Sequence, residues 1–246
     1  MNAQWRIAAL GGMMGTIAAV AAVFAAAALG YFPSPTDKQF RDYLMSHPAI
    51  VFAMSEKAQS EQADSDQRLQ QNAVDKLGLK VFLNSQVAFV TGPANARKTV
   101  IEFFDYNCAH CRNSFPTVKK FYESHRNDTR FAFIEYPIFG QASEDAARAA
   151  LAARNQPDKY LAFHFALMGE EGATGAGQIV DAAKKAGLDM NKLTADLKDP
   201  GIDRKMAAAR ELAKRVGVDG TPMFIVNGKV HESEVDDASL MQLWKG

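Results

Sequence analysis

A largely apolar run at residues 98–105, KTVIEFFD, leads directly into the segment that holds the two cysteines of the chain, Cys108 and Cys111. β-Branched and aromatic residues in such a run are typical of a strand that is buried on both faces. The residues that follow, 108–125, have a helical pattern with a bend expected at Pro116. A buried strand that runs straight into a helix indicates an α/β fold, in which helices cover a central sheet.

The remaining pattern extends this unit into a domain predicted to cover residues 81–246. Further strands are expected at VAFV, TRFAFIEYP and TPMFIVNGKV, the last of which contains an Asn-Gly hairpin turn. A helical subdomain is predicted as an insertion at about residues 141–215, and a capped helix closes the chain. The predicted order is β, β, α, β, a helical block, β, β, α.

The amino terminus predicts export from the cytoplasm. Residues 7–30 carry no charge and follow Arg6, and this apolar segment exceeds the about 20 residues that a membrane-spanning helix needs. We expect residues 1–30 to be a signal anchor in the inner membrane, with cleavage of a signal peptide near Ala28 as the alternative. Either alternative exports the rest of the chain, which in a bacterium means the periplasm.

A linker and a helical arm are predicted between the apolar segment and the α/β domain. Residues 31–36 contain two prolines and read as a short linker, and the arm is expected at residues 37–80. Its helical pattern, from residue 37 to residue 76, should bend at His47-Pro48, and large apolar residues are nearly absent from its second half. The arm is therefore either a solvated spacer or a surface through which copies of the chain form a homo-oligomer.

Composition excludes some classes of function. Lys plus Arg and Asp plus Glu number 28 each, so no net charge attracts nucleic acid, and we predict that the protein binds none. Two cysteines are too few for the disulfide framework of a small secreted domain. The cysteine pair therefore needs a local explanation.

Several local explanations are compatible with a Cys-x-x-Cys pair. A static disulfide is one, and a copper(I) site is another, because copper(I) tolerates two thiolates. Structural zinc would need four ligands, and we predict no metal site of that kind. The other histidines of the chain lack ligand spacing: His47, His125, His164 and His231.

A redox function is favoured by the position of Cys108 where a strand ends and a helix begins. Unpaired backbone amides and the positive end of the helix dipole face a sulfur at that position and stabilise its thiolate. Cys111, one turn later, can donate its S–H to that sulfur, and His110 can add a hydrogen bond or a positive charge. We predict that Cys108 is the nucleophile and that Cys111 resolves the mixed disulfide.

The segments EFFDYNCAHC and, more than a hundred residues later, GTPMFIVNGK resemble the DsbA-like branch of the thioredoxin superfamily over residues 87–246. The resemblance implies a thioredoxin-like fold with an inserted helical subdomain, a redox-active Cys108–Cys111 disulfide and no cofactor. It also implies that Thr221 and Pro222 form the cis-proline loop that docks substrate, and that Glu102 is a buried acid that relays a proton to the second thiol. Asp105 and Tyr106 are expected to shape the turn into the site.

The direction of the reaction stays open. Classical oxidases of the branch have proline at the position of Ala109 and valine at the position of Thr221. Threonine at the second position is more typical of isomerases. The arm resembles that of ScsC-type and Com1-like proteins. We therefore predict an oxidase or an isomerase that acts on thiols or disulfides of exported proteins and is reset by a membrane redox partner. A membrane-tethered binding or chaperone module, or a copper-handling protein, is the alternative.

Overall fold

The computed structural model describes residues 37–170 and 172–246, and its elements follow the predicted order. The strands are β1 (Phe89–Thr91), β2 (Lys98–Phe104), β3 (Thr129–Glu135), β4 (Met223–Val226) and β5 (Lys229–His231). The helices before the insertion are α1 (Asp37–Ser46), α2 (Pro48–Leu77) and α3 (Ala109–His125). Those that follow are α4 (Gln141–Ala153), α5 (Pro157–Met168), α6 (Ala176–Lys185), α7 (Met190–Asp196), α8 (Gly201–Val216) and α9 (Asp237–Lys245).

The strands of the described chain form one sheet in the order β1-β3-β2-β4-β5. The central strand β2 pairs parallel with β3, which places Glu102 opposite Phe133. On its other side β2 pairs antiparallel with β4, which places Glu102 opposite Phe224. Because β2 is central and ends at Phe104, the segment with the cysteines leaves the sheet from its middle.

Both faces of the sheet are covered, as the apolar run predicted. Successive side chains of a strand point to opposite faces. Val100 and Phe104 accordingly belong to one hydrophobic cluster, which also contains the two cysteines, whereas Ile101 and Phe103 belong to a second cluster. Glu102 has the same parity as Val100 and Phe104, so its carboxyl group lies on the face that carries the cysteines.

The hairpin between β4 and β5 confirms the predicted Asn-Gly turn. Asn227 has a φ of 52° and Gly228 a φ of 87°. Two successive positive φ values are the geometry of the tight hairpin turn whose twist matches that of the strands, and Asn followed by Gly favours it. The turn brings β5 to the edge of the sheet, and the chain leaves β5 toward the segment that ends at α9.

The arm does not form one element. Helix α1 ends at Ser46 and α2 begins at Pro48, so the expected bend is a break at His47, where proline removes a backbone donor. The chain divides into two compact units with the boundary between Glu61 and Gln62, in the middle of α2. This differs from the expected boundary at residue 80.

The second half of α2 belongs to the larger unit because it is bonded to the sheet edge. The backbone N–H of Val230 in β5 donates to the Gln71 side chain at 2.9 Å, and Gln71 donates to the carbonyl of Gly228 at 2.8 Å. Gln70 is 2% exposed and donates to the carbonyl of Gly217 at 3.1 Å. Glutamines gave no apolar signal in the sequence, and for that reason the expected boundary was misplaced.

The predicted anchor at residues 7–30 and the linker at residues 31–36 lie outside the described residues. In residues 37–170 and 172–246, no helix is both long enough and apolar enough to cross a bilayer.

Replacing Gly92 by Ala is expected to destabilise the fold strongly. Gly92 follows β1 with a φ of +87°, and an added Cβ would lie 2.1 Å from the backbone oxygen of Thr129. The matched control is Gly187→Ala, since Gly187 has a φ of +70° but no atom within 4 Å of the added Cβ. We expect the control to lose about 1 to 2 kcal/mol from backbone strain alone, and Gly92→Ala to lose clearly more. Equal urea midpoints for the two variants would contradict the contact with Thr129.

Candidate active site

Cys108 caps the helix that follows the central strand. Helix α3 begins at Ala109, and Cys108 is its N-cap residue, with an extended backbone at φ −74° and ψ 119°. The Cys108 Sγ accepts the backbone N–H of Cys111 at 3.4 Å. The first amides of a helix have no partner within the helix, so a sulfur at this position satisfies one of them and lies at the positive end of the dipole.

The loop before β4 covers the same sulfur from the other side. The peptide bond between Thr221 and Pro222 is cis, and the Cys108 thiol donates to the Thr221 carbonyl at 3.0 Å. Both cysteines are free thiols, and each is 1% exposed. The predicted neighbours Cys108, Cys111 and the Thr221-Pro222 pair are therefore in one place. The burial of Cys108 was not expected.

The two thiols have opposite acidities. The S–H of Cys111 is the main cause that lowers the pKa of Cys108 to about 5; burial opposes it, and Thr221 and the backbone amides of Cys111 and His110 lower the pKa further. Burial raises the pKa of Cys111, and the hydrogen bond to Cys108 and the charge of Glu102 add to that rise. Once the proton that Cys108 donates to the Thr221 carbonyl has left, the low pKa keeps this sulfur ionised at neutral pH, whereas Cys111 keeps its proton. Thiol–disulfide exchange uses this asymmetry.

Glu102 is buried beneath this pair. Its side chain is in the middle of β2 and the residue is 4% exposed. Burial raises the pKa of the Glu102 carboxyl to about 8, and the negative charge of Cys108 adds to the effect. A carboxyl group with a pKa near neutrality can both accept and donate a proton. The Cys108 charge raises the pKa of Glu102, and the Glu102 charge raises that of Cys111, so the three groups influence one another electrostatically.

The His110 side chain is paired with a carboxylate that the sequence analysis did not single out. Its Nδ1 is paired with the Glu234 carboxylate, which also accepts the side-chain N–H of Asn113 at 2.9 Å. The Glu234 partner raises the pKa of His110, and the charge of Cys108 contributes least. The backbone amide of His110 helps to lower the pKa of Cys108. Glu234 is distant in sequence, and no local motif pointed to it.

Asp105 holds the turn between strand and site, as expected. One of its carboxylate oxygens accepts the backbone N–H of Asn107 at 2.7 Å, and the other accepts that of Ile138 at 2.7 Å. Arg112, which the sequence did not single out, donates to the carbonyl of Tyr106 at 2.8 Å. These contacts fix the start of α3 against its neighbours.

The described part of the chain contains no group of three or more His, Cys, Asp and Glu side chains arranged to hold a metal ion. His164, one of the scattered histidines, is buried, and burial lowers its pKa to about 3. Its Nδ1 lies 3.0 Å from the Tyr106 hydroxyl. His164 is thus a neutral member of the core below the site.

The family model described as Thioredoxin matches residues 84–245. The chain belongs to the thioredoxin family. A solved member, a thioredoxin-like oxidoreductase from Silicibacter pomeroyi DSS-3, is 36% identical with a TM-score of 0.62, over 68% of this chain and 95% of that one. ScsC of Proteus mirabilis, in a transitional conformation, is 26% identical with a TM-score of 0.62, over 84% of this chain and 90% of that one.

Curated relatives of this thioredoxin-family chain include proteins of different length. Na(+)/H(+) antiporter NhaA 1 of Salinispora arenicola is 28% identical over 156 residues, which are 61% of this chain and 23% of the relative. The chain therefore spans about a quarter of the length of that relative. Disulfide bond formation protein D of Bacillus subtilis is 28% identical over 162 residues, 60% of this chain and 71% of the relative. The resemblance to the DsbA-like branch is confirmed by relatives named for DsbA and ScsC.

Replacing Glu102 by Gln is expected to stabilise the reduced protein at high pH. The folded carboxyl has a pKa of about 8 against an ordinary value of 4.5, so the folded state binds more protons than the unfolded state between these values. Wild-type stability therefore falls as pH rises through this window, whereas Gln cannot ionise. We expect the variant to gain about 2 to 5 kcal/mol over wild type near pH 8 and little near pH 4.5.

Urea denaturation across this range, with dithiol reductant present, measures the difference. Glu123→Gln serves as the control, because the Glu123 side chain is 60% exposed and its loss should leave the pH profile unchanged. Parallel profiles for wild type and Glu102→Gln would show that the carboxyl titrates normally.

Proposed function

We propose that the protein is an exported thiol–disulfide oxidoreductase that acts on cysteines of other exported proteins. The observation that carries the proposal is the environment of the Cys108 sulfur, which caps α3, contacts the Thr221 carbonyl at 3.0 Å and has a pKa lowered to about 5. A thiolate held at the start of a helix is both a nucleophile and a good leaving group. The named relatives in disulfide chemistry add support.

In the oxidising direction, a substrate thiolate attacks the Cys108 sulfur of the Cys108–Cys111 disulfide. A bond forms between the substrate and Cys108, and the electron pair of the broken disulfide leaves on Cys111, which takes up a proton. A second substrate thiolate then attacks the substrate sulfur of this mixed disulfide, and Cys108 leaves as a thiolate. The low pKa of Cys108 favours that departure and makes the enzyme disulfide oxidising.

The proton that Cys111 takes up needs a buried source. Glu102 is the carboxyl group whose charge acts on both thiols, and its pKa of about 8 keeps it mostly protonated at neutral pH. We assign it the role of proton relay: it donates when the Cys111 thiolate forms and accepts when Cys111 resolves a mixed disulfide. Such transfers contribute about 10²- to 10⁴-fold in other enzymes.

We assign Thr221 and Pro222 to substrate docking, and His110 to tuning the acidity of the Cys108 thiol. The Thr221 hydroxyl has no hydrogen-bond partner among the described residues, so it can donate to the Cys108 thiolate once the proton has left. The buried Cys108 sulfur is reached beside this loop, where an extended substrate segment can lie along the Thr221-Pro222 backbone. The paired His110 and Glu234 flank the same approach.

An isomerase role is the second candidate, and the arm favours it. Large apolar side chains on α1 and on the first turns of α2 are exposed: Phe40, Tyr43, Met45, Ile50, Val51, Phe52 and Met54. Exposed apolar patches of this kind mark association surfaces. A homo-oligomer formed through residues 37–76 would hold two or more active sites around one misfolded substrate. The apolar segment at residues 7–30 would keep the protein at the inner membrane, near a membrane redox partner.

Refolding assays on ribonuclease should distinguish the directions of the reaction. We expect the full-length protein in its oxidised form to oxidise reduced ribonuclease, and the reduced form to recover activity from scrambled ribonuclease if it is an isomerase. Cys108→Ser should abolish both activities because it removes the attacking sulfur. The circular dichroism spectrum of the mutant should match that of the wild type, which shows that the loss of activity does not come from misfolding.

Activity that is absent in both assays, or unchanged by Cys108→Ser, would contradict the proposed enzyme. That outcome would favour the alternative classes, a membrane-tethered binding or chaperone module or a copper-handling protein with an idle cysteine pair.

Charges on the apolar face of the arm should separate isomerisation from oxidation. The double variant Phe40→Glu, Phe52→Glu is expected to sediment as a monomer and to lose the unscrambling activity, while its oxidation of reduced ribonuclease stays within about twofold. The double control is Ala58→Glu with Ala63→Glu, which adds the same charge to exposed positions on the polar part of α2. If the Phe variant assembles like the control, the arm does not mediate association.

A further inference from the structure

A cleft with an acidic wall includes Thr221, whose carbonyl oxygen lies 3.0 Å from the Cys108 sulfur. The cleft encloses a volume of about 550 Å³ and is lined by the cis-proline loop and by the segment after β5. The lining residues with titratable side chains are His110, Asp219, Glu232 and Glu234. Neither lysine nor arginine is among the residues that line it.

These carboxylates differ in how their charge is compensated. Glu234 is paired with His110 and accepts from Asn113, so its charge is largely matched. Asp219 and Glu232 form no ion pair within residues 37–170 and 172–246. Since the whole chain has a formal net charge of +0, the excess of negative charge in the cleft is a local feature.

Glu232 is held in place by a neutral partner. The buried Gln70 side chain donates to the Glu232 carboxylate, and Gln70 is itself bonded to the Gly217 carbonyl at 3.1 Å. Burial raises the pKa of Glu232, the Gln70 hydrogen bond partly offsets this, and the charges of Asp219 and Asp66 raise it further. The carboxylates therefore repel one another across a fixed geometry, and a cation in the cleft would relieve that repulsion.

We propose that this cleft selects substrate segments that carry lysine or arginine beside the reacting cysteine, with Asp219 and Glu232 as the specificity-determining residues. The inference rests on the proposed function, because it places the substrate along the Thr221-Pro222 loop. Thr221 lines the cleft, and its carbonyl oxygen contacts the Cys108 sulfur at 3.0 Å, so a segment that binds in the cleft lies beside the reacting sulfur. A substrate with acidic residues beside its cysteine meets like charge at the same place.

The test uses full-length protein with Cys111→Ser, so that mixed disulfides of Cys108 persist. The probes are symmetric disulfide dimers of a short peptide with one cysteine, flanked by lysine, glutamine or glutamate. The Cys108 thiolate attacks one peptide sulfur, a bond between Cys108 and that peptide forms, the peptide disulfide breaks, and the other peptide leaves as a thiolate. Intact-mass measurement over time gives the rate for each peptide.

We expect the lysine peptide to react about 3- to 10-fold faster than the glutamate peptide at low salt, with glutamine between them. Asp219→Asn with Glu232→Gln should bring this ratio close to one, and about 0.5 M salt should reduce it in the parent protein. Comparing the ratio between proteins cancels the intrinsic reactivity of each peptide. Asp181→Asn, at an exposed position on α6, is the control that should keep the ratio.

The outcomes separate the two proposals. If the protein with both cysteines reduces the disulfide of the glutamine peptide no faster than a free cysteine derivative does, the proposed function fails, because Cys111, the main cause of the low Cys108 pKa, is then in place. If that peptide reacts fast but the lysine and glutamate peptides have equal rates, or if the Asp219 and Glu232 substitutions leave the ratio unchanged, the exchange function stands and the charge selection is wrong.

Discussion

The contact between the Cys108 sulfur and the first turn of α3 organises the active-site half of the molecule. The sulfur replaces a conventional oxygen cap, so the same atom ends the connection from β2 and provides the chemistry. Because Cys111 lies one turn later, its S–H points at that sulfur and is the main cause of the lowered pKa. A helix that began one residue earlier or later would break both relations. The position of the helix start thus determines structure and reactivity together.

A second constraint is the acid beneath the pair. Glu102 occupies the central strand of a sheet whose two faces are apolar, and an ionised carboxylate there would be costly without a partner. Burial raises the pKa of this carboxyl group to about 8, so the group is mostly neutral at physiological pH. If position 102 had only a structural role, valine or leucine would suit it better, because the rest of β2 is mostly apolar. This polar exception supports the proposed role of Glu102 in proton transfer with Cys111.

Local patterns were enough to predict much of the fold and part of the site. The order of the elements, the turn at Asn227 and the start of a helix near Cys108 follow from residues close in sequence, where hydrophobic period, turn chemistry and caps act. The pairing of His110 with Glu234 could not be predicted, because it joins segments more than a hundred residues apart and depends on the tertiary fold. The glutamines of α2 were missed for a related reason: they bind the sheet edge through amides, which leave no hydrophobic period.

The reactivity of the cysteine pair and the proposed charge selection depend on different parts of the fold, and the glutamines of α2 contact the second of these parts. The cysteine pair depends on β2 and α3, which are buried in the centre of the domain. Glu232 instead follows the edge strand β5, where Gln71 bonds the backbone of Val230 and Gln70 bonds Glu232 itself. Changes in α2 or in the segment after β5 can therefore alter the charge beside the substrate without moving the sulfur or its proton donors. The thiol chemistry depends on short-range contacts in the core of the domain. The proposed electrostatic selection acts over longer distances, from residues at the edge of the sheet. Through Gln70 and Gln71, the second half of α2 is hydrogen-bonded to the edge of the sheet at which the proposed selection acts.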